Sequence, residues 1–316
     1  EKSEKPRVST KEDLVNLPRY NAFTSNLTCF VAMLMWAFTF PIAEVMIETW
    51  GTVALVLVRQ SIAVSVLCFF WFWIDGWTSI RTANWLRGIT VGGFGFGLGA
   101  ILFLVGQSMS DPVTPAIAAS MMPIIGAILE VIFDGRRLHP KLLFGIVLAI
   151  CGGLLASGTR LDEGSFGWGS LLCLCSVIMF AWATRATTHD FRSLSMIGRS
   201  AITIAGGVII VWVVFLLMSV FRLPGTEIGL LDNRHMAMLV FSAVASTALA
   251  QFLWIRGNAG LGILLASFHM NAVPFYVMVI VVLLLDAHWN WWQAAGAALV
   301  AIGVMVAQSG ARRAGA

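Results

Sequence analysis

Apolar runs of about twenty residues, broken only by short charged or turn-forming stretches, recur from residue 25 to residue 309. A run of that length crosses roughly 30 Å of hydrocarbon as one helix, and hydrocarbon admits only backbone that satisfies its own polar groups. The runs fall at 25–48, 52–74, 85–108, 112–133 and 138–157, then at 166–188, 195–220, 236–256, 261–285 and 289–309. Ten spans in 316 residues leave no room for a separate soluble domain. Composition agrees: 59% hydrophobic and 11% charged residues, against about half and a quarter in soluble chains. The expected fold is all-α, a polytopic membrane protein of ten transmembrane helices.

Residues 1–24 are polar, contain Pro6 and Pro18, and lack the apolar core of a secretory signal. They read as a cytoplasmic tail. With that tail inside, 16 of the 20 lysines and arginines fall on the cytoplasmic side, only Arg160, Arg222 and Arg234 fall outside, and Arg59 lies within a span. This asymmetry places both termini in the cytoplasm. It also accounts for the net charge of +4 without a nucleic-acid partner, for which no basic face or aromatic motif exists. Trp50, Trp77, Trp85, Trp168, Trp289, Trp291 and Trp292 sit near span ends, where an amphipathic ring suits the headgroup region. Asp111 followed by Pro112 marks the start of the fourth span as N-cap and first helical position.

The chain repeats itself. Pro123, Gly145 and Gly152 recur as Pro274, Gly296 and Gly303 at a constant offset of 151, and Gly106 with Gly257 keeps that register. Trp36-Ala37 resembles Trp182-Ala183, and Arg59 resembles Arg199, after adjustment for loop length. Five spans per repeat, 25–157 and 166–309, is an odd number, so the second copy enters the membrane upside down. Two inverted repeats of five helices that enclose a site near the midplane are a carrier architecture. Duplication also builds rigid scaffolds, and that reading stays open here.

Several stretches resemble the drug/metabolite transporter superfamily, in particular its ten-helix EamA-type members. They are Trp36-Ala37-Phe38-Thr39-Phe40-Pro41, Val58-Arg59, Ala118-Ala119-Ser120-Met121-Met122-Pro123, Gly135-Arg136-Arg137-Leu138 and Gly145. The resemblance covers about residues 25–309 and departs from the family where a Gly-Glu-Arg motif is common: the chain has Gly135-Arg136-Arg137 and Asp286-Ala287-His288. It implies a bacterial inner (plasma) membrane exporter of amino acids, aromatic or otherwise apolar, or of related metabolites. It further implies a cavity bounded by the first, third, fourth, sixth, eighth and ninth spans.

Ionisable groups in hydrocarbon are costly and usually face a partner or a wet cavity. Those within spans are Glu44, Arg59, Glu130 and His269. Glu44 and Arg59 on adjacent spans suggest an ion pair, and Glu130 lies within reach of Arg136 or Arg137. His269 and Asn271 precede Pro274, as Ala118 and Ser120 precede Pro123, so each repeat places a small polar group three residues before a helix-loosening proline. These positions, with Trp36, Thr39, Met121, Trp182, Gln251 and Trp254, form the expected substrate site, and Pro41, Pro123 and Pro274 are the expected hinges. His269 could equally bond a neighbouring helix. The glycines Gly93, Gly97, Gly95 and Gly99 have the spacing of close helix packing, within a span and after no strand, so they do not form a phosphate loop.

No His-Glu-x-x-His motif, embedded aspartate pair or activated nucleophile argues for catalysis. The five cysteines, all within apolar runs, read as small packing residues, so no metal or cofactor is expected. The partners expected are a small-molecule substrate and the lipid bilayer, with the chain acting as a monomer. Alternating access by facilitated diffusion is the expected mechanism. A proton-coupled drug or metabolite efflux carrier, and a membrane receptor or channel, are the alternatives.

Overall fold

The computed structural model describes residues 22–134, 140–157, 167–261 and 266–314. All regular structure there is helical, and the chain is a multi-pass membrane protein. Six helices are long and apolar enough to cross a bilayer: α1 (Phe23–Ile47), α2 (Thr52–Thr82), α3 (Trp85–Ser108), α6 (Trp168–Asp190), α7 (Met196–Val220) and α8 (Asn233–Gly257). Shorter apolar helices occupy the other four expected spans: α4 (Val113–Gly126), α5 (Leu143–Gly152), α9 (His269–Leu285) and α10 (Trp291–Val306). Most of the N-terminal tail, and the expected contact between Glu130 and Arg136 or Arg137, lie outside the described residues.

Helix ends follow local chemistry. Asp111 Oδ1 accepts the N–H groups of Val113 and Thr114 at 2.8 and 3.0 Å, which is the capping expected for α4. Asn84 caps α3 through the Arg87 N–H, and Ser195 caps α7 through the Gly198 N–H. Asp232 caps α8. Its Oδ1 accepts the His235 N–H at 2.9 Å and lies 2.9 Å from His235 Nδ1, and this contact holds the carboxyl below its usual range. The first helical segment of α2 stops at Gly76, close to its expected end, where a non-helical backbone (φ 76°) kinks the chain into a short second segment that runs to Thr82. Gly225 (φ 105°) shapes the loop between α7 and α8 so that its carbonyl accepts the Val53 and Ala54 N–H groups, covering the start of α2. Trp50 and Trp85 bond to protein rather than to headgroups: Trp50 Nε1 donates to Leu230 O and Trp85 Nε1 to Ile80 O. Trp77, Trp168, Trp291 and Trp292 are exposed, as interfacial rings are.

Packing contacts recur between the halves. A Cβ on Gly152 (α5) would meet Gly296 O and Val300 N at 2.7 Å, and one on Gly303 (α10) would meet Gly145 O and Ala149 N at 2.7 and 2.8 Å. The partners differ by the same 151 residues, so α5 and α10 touch through one glycine contact used twice. Likewise Gly106 (α3) abuts Cys173 and Gly169 of α6, while Gly257 (α8) abuts Cys29 and Ser25 of α1. This second exchange sets the first helix of each half at an offset of 144. The sequence match of Trp36-Ala37 with Trp182-Ala183 is therefore two residues out of register, and Trp36 corresponds to Phe180. Cys29 and Cys173 are fully buried small residues at equivalent contacts.

The glycine run of α3 packs as its spacing suggests. Gly93 and Gly97 face Ile210 and Gly207 of α7, and Gly95 and Gly99 face Ala183 and Phe180 of α6. The same run adopts a π-helix over Gly92–Leu98, and α8 does so over Val244–Leu249, the matching place in the second half. A second matching irregularity precedes each proline. The fourth helix breaks at Met121 before Pro123, and α9 opens as a 3-10 turn over Ser267–Ala272 before Pro274.

Replacing Gly152 or Gly303 with Ala drives a methyl group into the backbone of the facing helix, with a cost of about 1–3 kcal/mol for overpacking. Both variants should lower the detergent melting temperature by similar amounts. Gly126→Ala, where a Cβ meets nothing within 4 Å, should leave it unchanged.

Candidate functional site

A cavity of about 150 Å³ lies where the two halves meet. It is lined by Met33, Trp36 and Thr39 of α1, Arg59 and Gln60 of α2, Phe96 and Ala100 of α3, and Ala119 and Met122 of α4. From the second half come Val177, Phe180 and Thr184 of α6, Ile204 of α7, Met270 of the turn opening α9, and five α8 residues: Ser246, Thr247, Ala250, Gln251 and Trp254. Neither α5 nor α10 supplies a lining residue. The lining is paired by the same offsets as the packing: Phe96 with Thr247, Ala100 with Gln251, Ala119 with Met270, Met33 with Val177, and Trp36 with Phe180. Two of these pairs, Phe96 with Thr247 and Ala100 with Gln251, set an apolar residue against a polar one, so the walls match in place but only partly in polarity.

Local irregularity puts these residues at the cavity. Phe96, Ser246 and Thr247 lie in the two π-helical segments, which widen the helix and re-aim side chains. Gln60 Nε2 donates to Phe96 O at 3.2 Å, tying α2 to the π-helical part of α3. Ser176 donates to Gly99 O at 2.6 Å from α6. An aromatic array backs the apolar wall. Trp36 meets Phe40 edge-on at 5.2 Å and stacks on Phe103 at 6.4 Å, Phe103 meets Phe180 at 5.8 Å, and Phe180 stacks on Phe96 at 6.1 Å.

Buried polar atoms are almost always hydrogen-bonded, so those without partners are informative. Among the described residues they are Thr39 Oγ1, Arg59 Nε, Gln60 Oε1, Ser61 Oγ, Ser246 Oγ and Asn271 Oδ1. Four of these six belong to residues that line the cavity. The other two, Ser61 and Asn271, follow the lining residues Gln60 and Met270 in sequence. Unmet polar capacity among the described residues is therefore concentrated on four cavity-lining side chains.

Of the expected site residues, Trp36, Thr39, Gln251 and Trp254 line the cavity. Ser120 is buried beside Ala119, and its Oγ donates to Ile117 O at 2.7 Å. Met121 packs into the wall behind Trp36, and Trp182 packs edge-on against Phe94 at 5.6 Å. His269 Nδ1 lies 3.2 Å from Ala266 O, within its own turn, while Asn271 is buried next to Met270. Pro41, Pro123 and Pro274 are all buried. The expected Glu44–Arg59 ion pair does not form. Glu44 instead accepts from Gln107 Nε2 at 3.4 Å, and the same nitrogen donates to Phe40 O at 2.7 Å, which holds Glu44 against α3. Arg59 turns to the cavity. Arg199, read as its counterpart, donates to Leu194 O and Arg192 O at the end of α7 and plays no part in the lining.

The second and seventh spans, not expected at the site, contribute Arg59, Gln60 and Ile204. Gln60, Thr184, Ser246 and Thr247 were not singled out from sequence, because isolated polar residues in apolar runs are common as helix–helix bonds. The usable signal was the repeat itself: the offset of 151 relates Gln251 to Ala100 and Thr247 to Phe96.

The EamA-like transporter family matches this chain twice, over residues 24–158 and 167–308. No curated protein matches it. A solved crystal structure superposes with a TM-score of 0.66 at 19% identity, covering 92% of this chain and 98% of the other, which is a likeness of fold.

In a background with the native cysteines replaced, Thr247→Cys and Gln251→Cys should react with a small water-soluble thiol reagent. Ile209→Cys, on an exposed apolar face of α7, should not, because hydrocarbon suppresses the thiolate. Equal labelling at all three positions would mean that the cavity is not a distinct aqueous compartment.

Proposed function

We propose, because the chain belongs to the EamA-like transporter family, that it exports amino acids or closely related small metabolites by alternating access. The observation that carries this reading is a cavity lined by equivalent positions of both halves. Inverted halves can exchange conformations, so that an opening to one side becomes an opening to the other. The paired irregular segments, two π-helical and two before prolines, are the elements able to change backbone geometry. Pro41, Pro123 and Pro274 are the proposed hinges. Trp36, Thr39, Gln251 and Trp254 contact the substrate in this scheme. Ser120, Met121, Trp182, His269 and Asn271 hold the walls from behind.

The volume narrows the choice. A cavity of about 150 Å³ accommodates a benzene-sized body. Small apolar amino acids fit that space as it stands, whereas the aromatic ones require it to widen. No Asp or Glu among the described residues lines the cavity, which supports facilitated diffusion over proton or sodium coupling. The chain is proposed to act as a monomer with both termini in the cytoplasm, in keeping with its lysine and arginine asymmetry.

Purified protein in liposomes should show saturable uptake of labelled small amino acids that is stimulated by unlabelled substrate inside. An imposed proton gradient should leave the initial rate unchanged. Trp36→Ala should raise the apparent KM by about tenfold, roughly the worth of one aromatic wall. His269→Ala should change it far less. Non-saturable flux without counterflow would point to a pore and overturn the carrier reading.

A further inference from the structure

We propose that Arg59 is a carboxylate anchor, which makes an anionic group compulsory on the transported molecule and an amino group dispensable. The inference rests on the carrier reading and sharpens its substrate class. Arg59 lies on α2 about 10 Å from the helix start, taking 1.5 Å per residue from Thr52. Its side chain is half-buried, its Nε is wholly covered, and it borders the cavity.

A guanidinium at such depth is expected to be paired, because an uncompensated charge in a medium of low dielectric is costly. Arg59 has no ion-pair or hydrogen-bond partner among the described residues, and its Nε is a buried donor without an acceptor. Its expected partner, Glu44, is held elsewhere by Gln107. The one cation–π contact found among the described residues belongs to Arg185 and Phe133. The guanidinium therefore offers its donors to whatever occupies the cavity.

The planar fork of arginine matches a carboxylate, which can accept two parallel N–H bonds. Beside it, Thr39 Oγ1, Gln60 Oε1 and Ser246 Oγ are free to bond the remaining polar atoms of a ligand. The tryptophans Trp36 and Trp254 provide an apolar wall for its body. The absence of a lining carboxylate has the opposite consequence for amines. A cationic ligand would meet Arg59 and find no counter-charge, so repulsion as well as missing attraction excludes it.

The test uses three molecules of nearly one shape: valine, its deaminated relative 3-methylbutanoate, and its decarboxylated relative 2-methylpropan-1-amine. Competition against labelled valine in counterflow should be strong for 3-methylbutanoate and at least about thirtyfold weaker for the amine. Arg59→Gln should weaken competition by 3-methylbutanoate by about thirtyfold, and Arg59→Lys should keep the preference for acid over amine at reduced affinity. The wild-type comparison stands whether or not either variant folds, and the melting curve of each variant reports its folding. Equal competition by the amine, or unchanged 3-methylbutanoate affinity in folded Arg59→Gln, overturns the anchor and leaves the carrier intact. Lack of counterflow with valine and with a wider panel of amino acids and amines would remove the carrier reading itself.

Discussion

Hydrocarbon offers no hydrogen-bond partner, so every polar group inside the bilayer must find one within the protein or its cargo. That constraint explains most of the polar side chains in this chain. Ser120, Ser176, Thr187, Thr203 and Ser242 give their protons to carbonyls of their own or adjacent helices. Gln107 binds a carbonyl of α1. Among the described residues the rule is broken at six atoms, four of them on residues that line the cavity. That concentration of unmet bonds supports the proposed binding role.

The repeat supplies the second half of the argument. Glycines separated by 151 residues meet across α5 and α10, and the contacts of α3 with α6 return in α8 with α1. In the proposed cycle, such matched contacts let two arrangements of similar energy exist, because each half can take up what the other gives. The π-helical segments and the turns before Pro123 and Pro274 occur at matching places for the same reason. They hold fewer regular backbone bonds than a continuous helix, so a change of their geometry is cheaper than a change elsewhere. The pair formed by α5 and α10 stands outside the cavity and contacts itself closely, which suits a fixed support.

Much of this was legible in the sequence. Periodic apolar runs specify spans, because the thickness of hydrocarbon is a hard length. The offset of 151 was visible because glycine and proline at close contacts cannot be replaced without moving backbone. The register of the first helices was not visible, since Trp36-Ala37 and Trp182-Ala183 match by eye while the packing aligns Cys29 with Cys173. Small buried residues carry that alignment, and their identity is loosely constrained. The π-helices were also hidden: a widened turn costs one hydrogen bond and leaves no signature beyond glycines that read equally well as a packing stripe. The Glu44–Arg59 pairing failed for a related reason. Spacing along adjacent spans gives a distance between helix positions but not the direction in which a long side chain turns.

The halves match in shape far better than in charge. Met33 and Val177, or Trp36 and Phe180, keep the cavity's outline under exchange, but α2 brings a guanidinium where α7 brings only Ile204. Arg199 is spent on the carbonyls of Leu194 and Arg192, just before the start of its own helix. In the proposed alternating-access cycle a symmetric frame supports the motion, because both open states need comparable energies. An asymmetric lining supports recognition, because a small molecule has a polar end and an apolar end and fits only one way round. Duplication would have supplied the first property at once. The second requires that the two copies diverge where they face the ligand and stay alike where they face each other, and the pattern of glycines kept and cavity residues changed is that divergence.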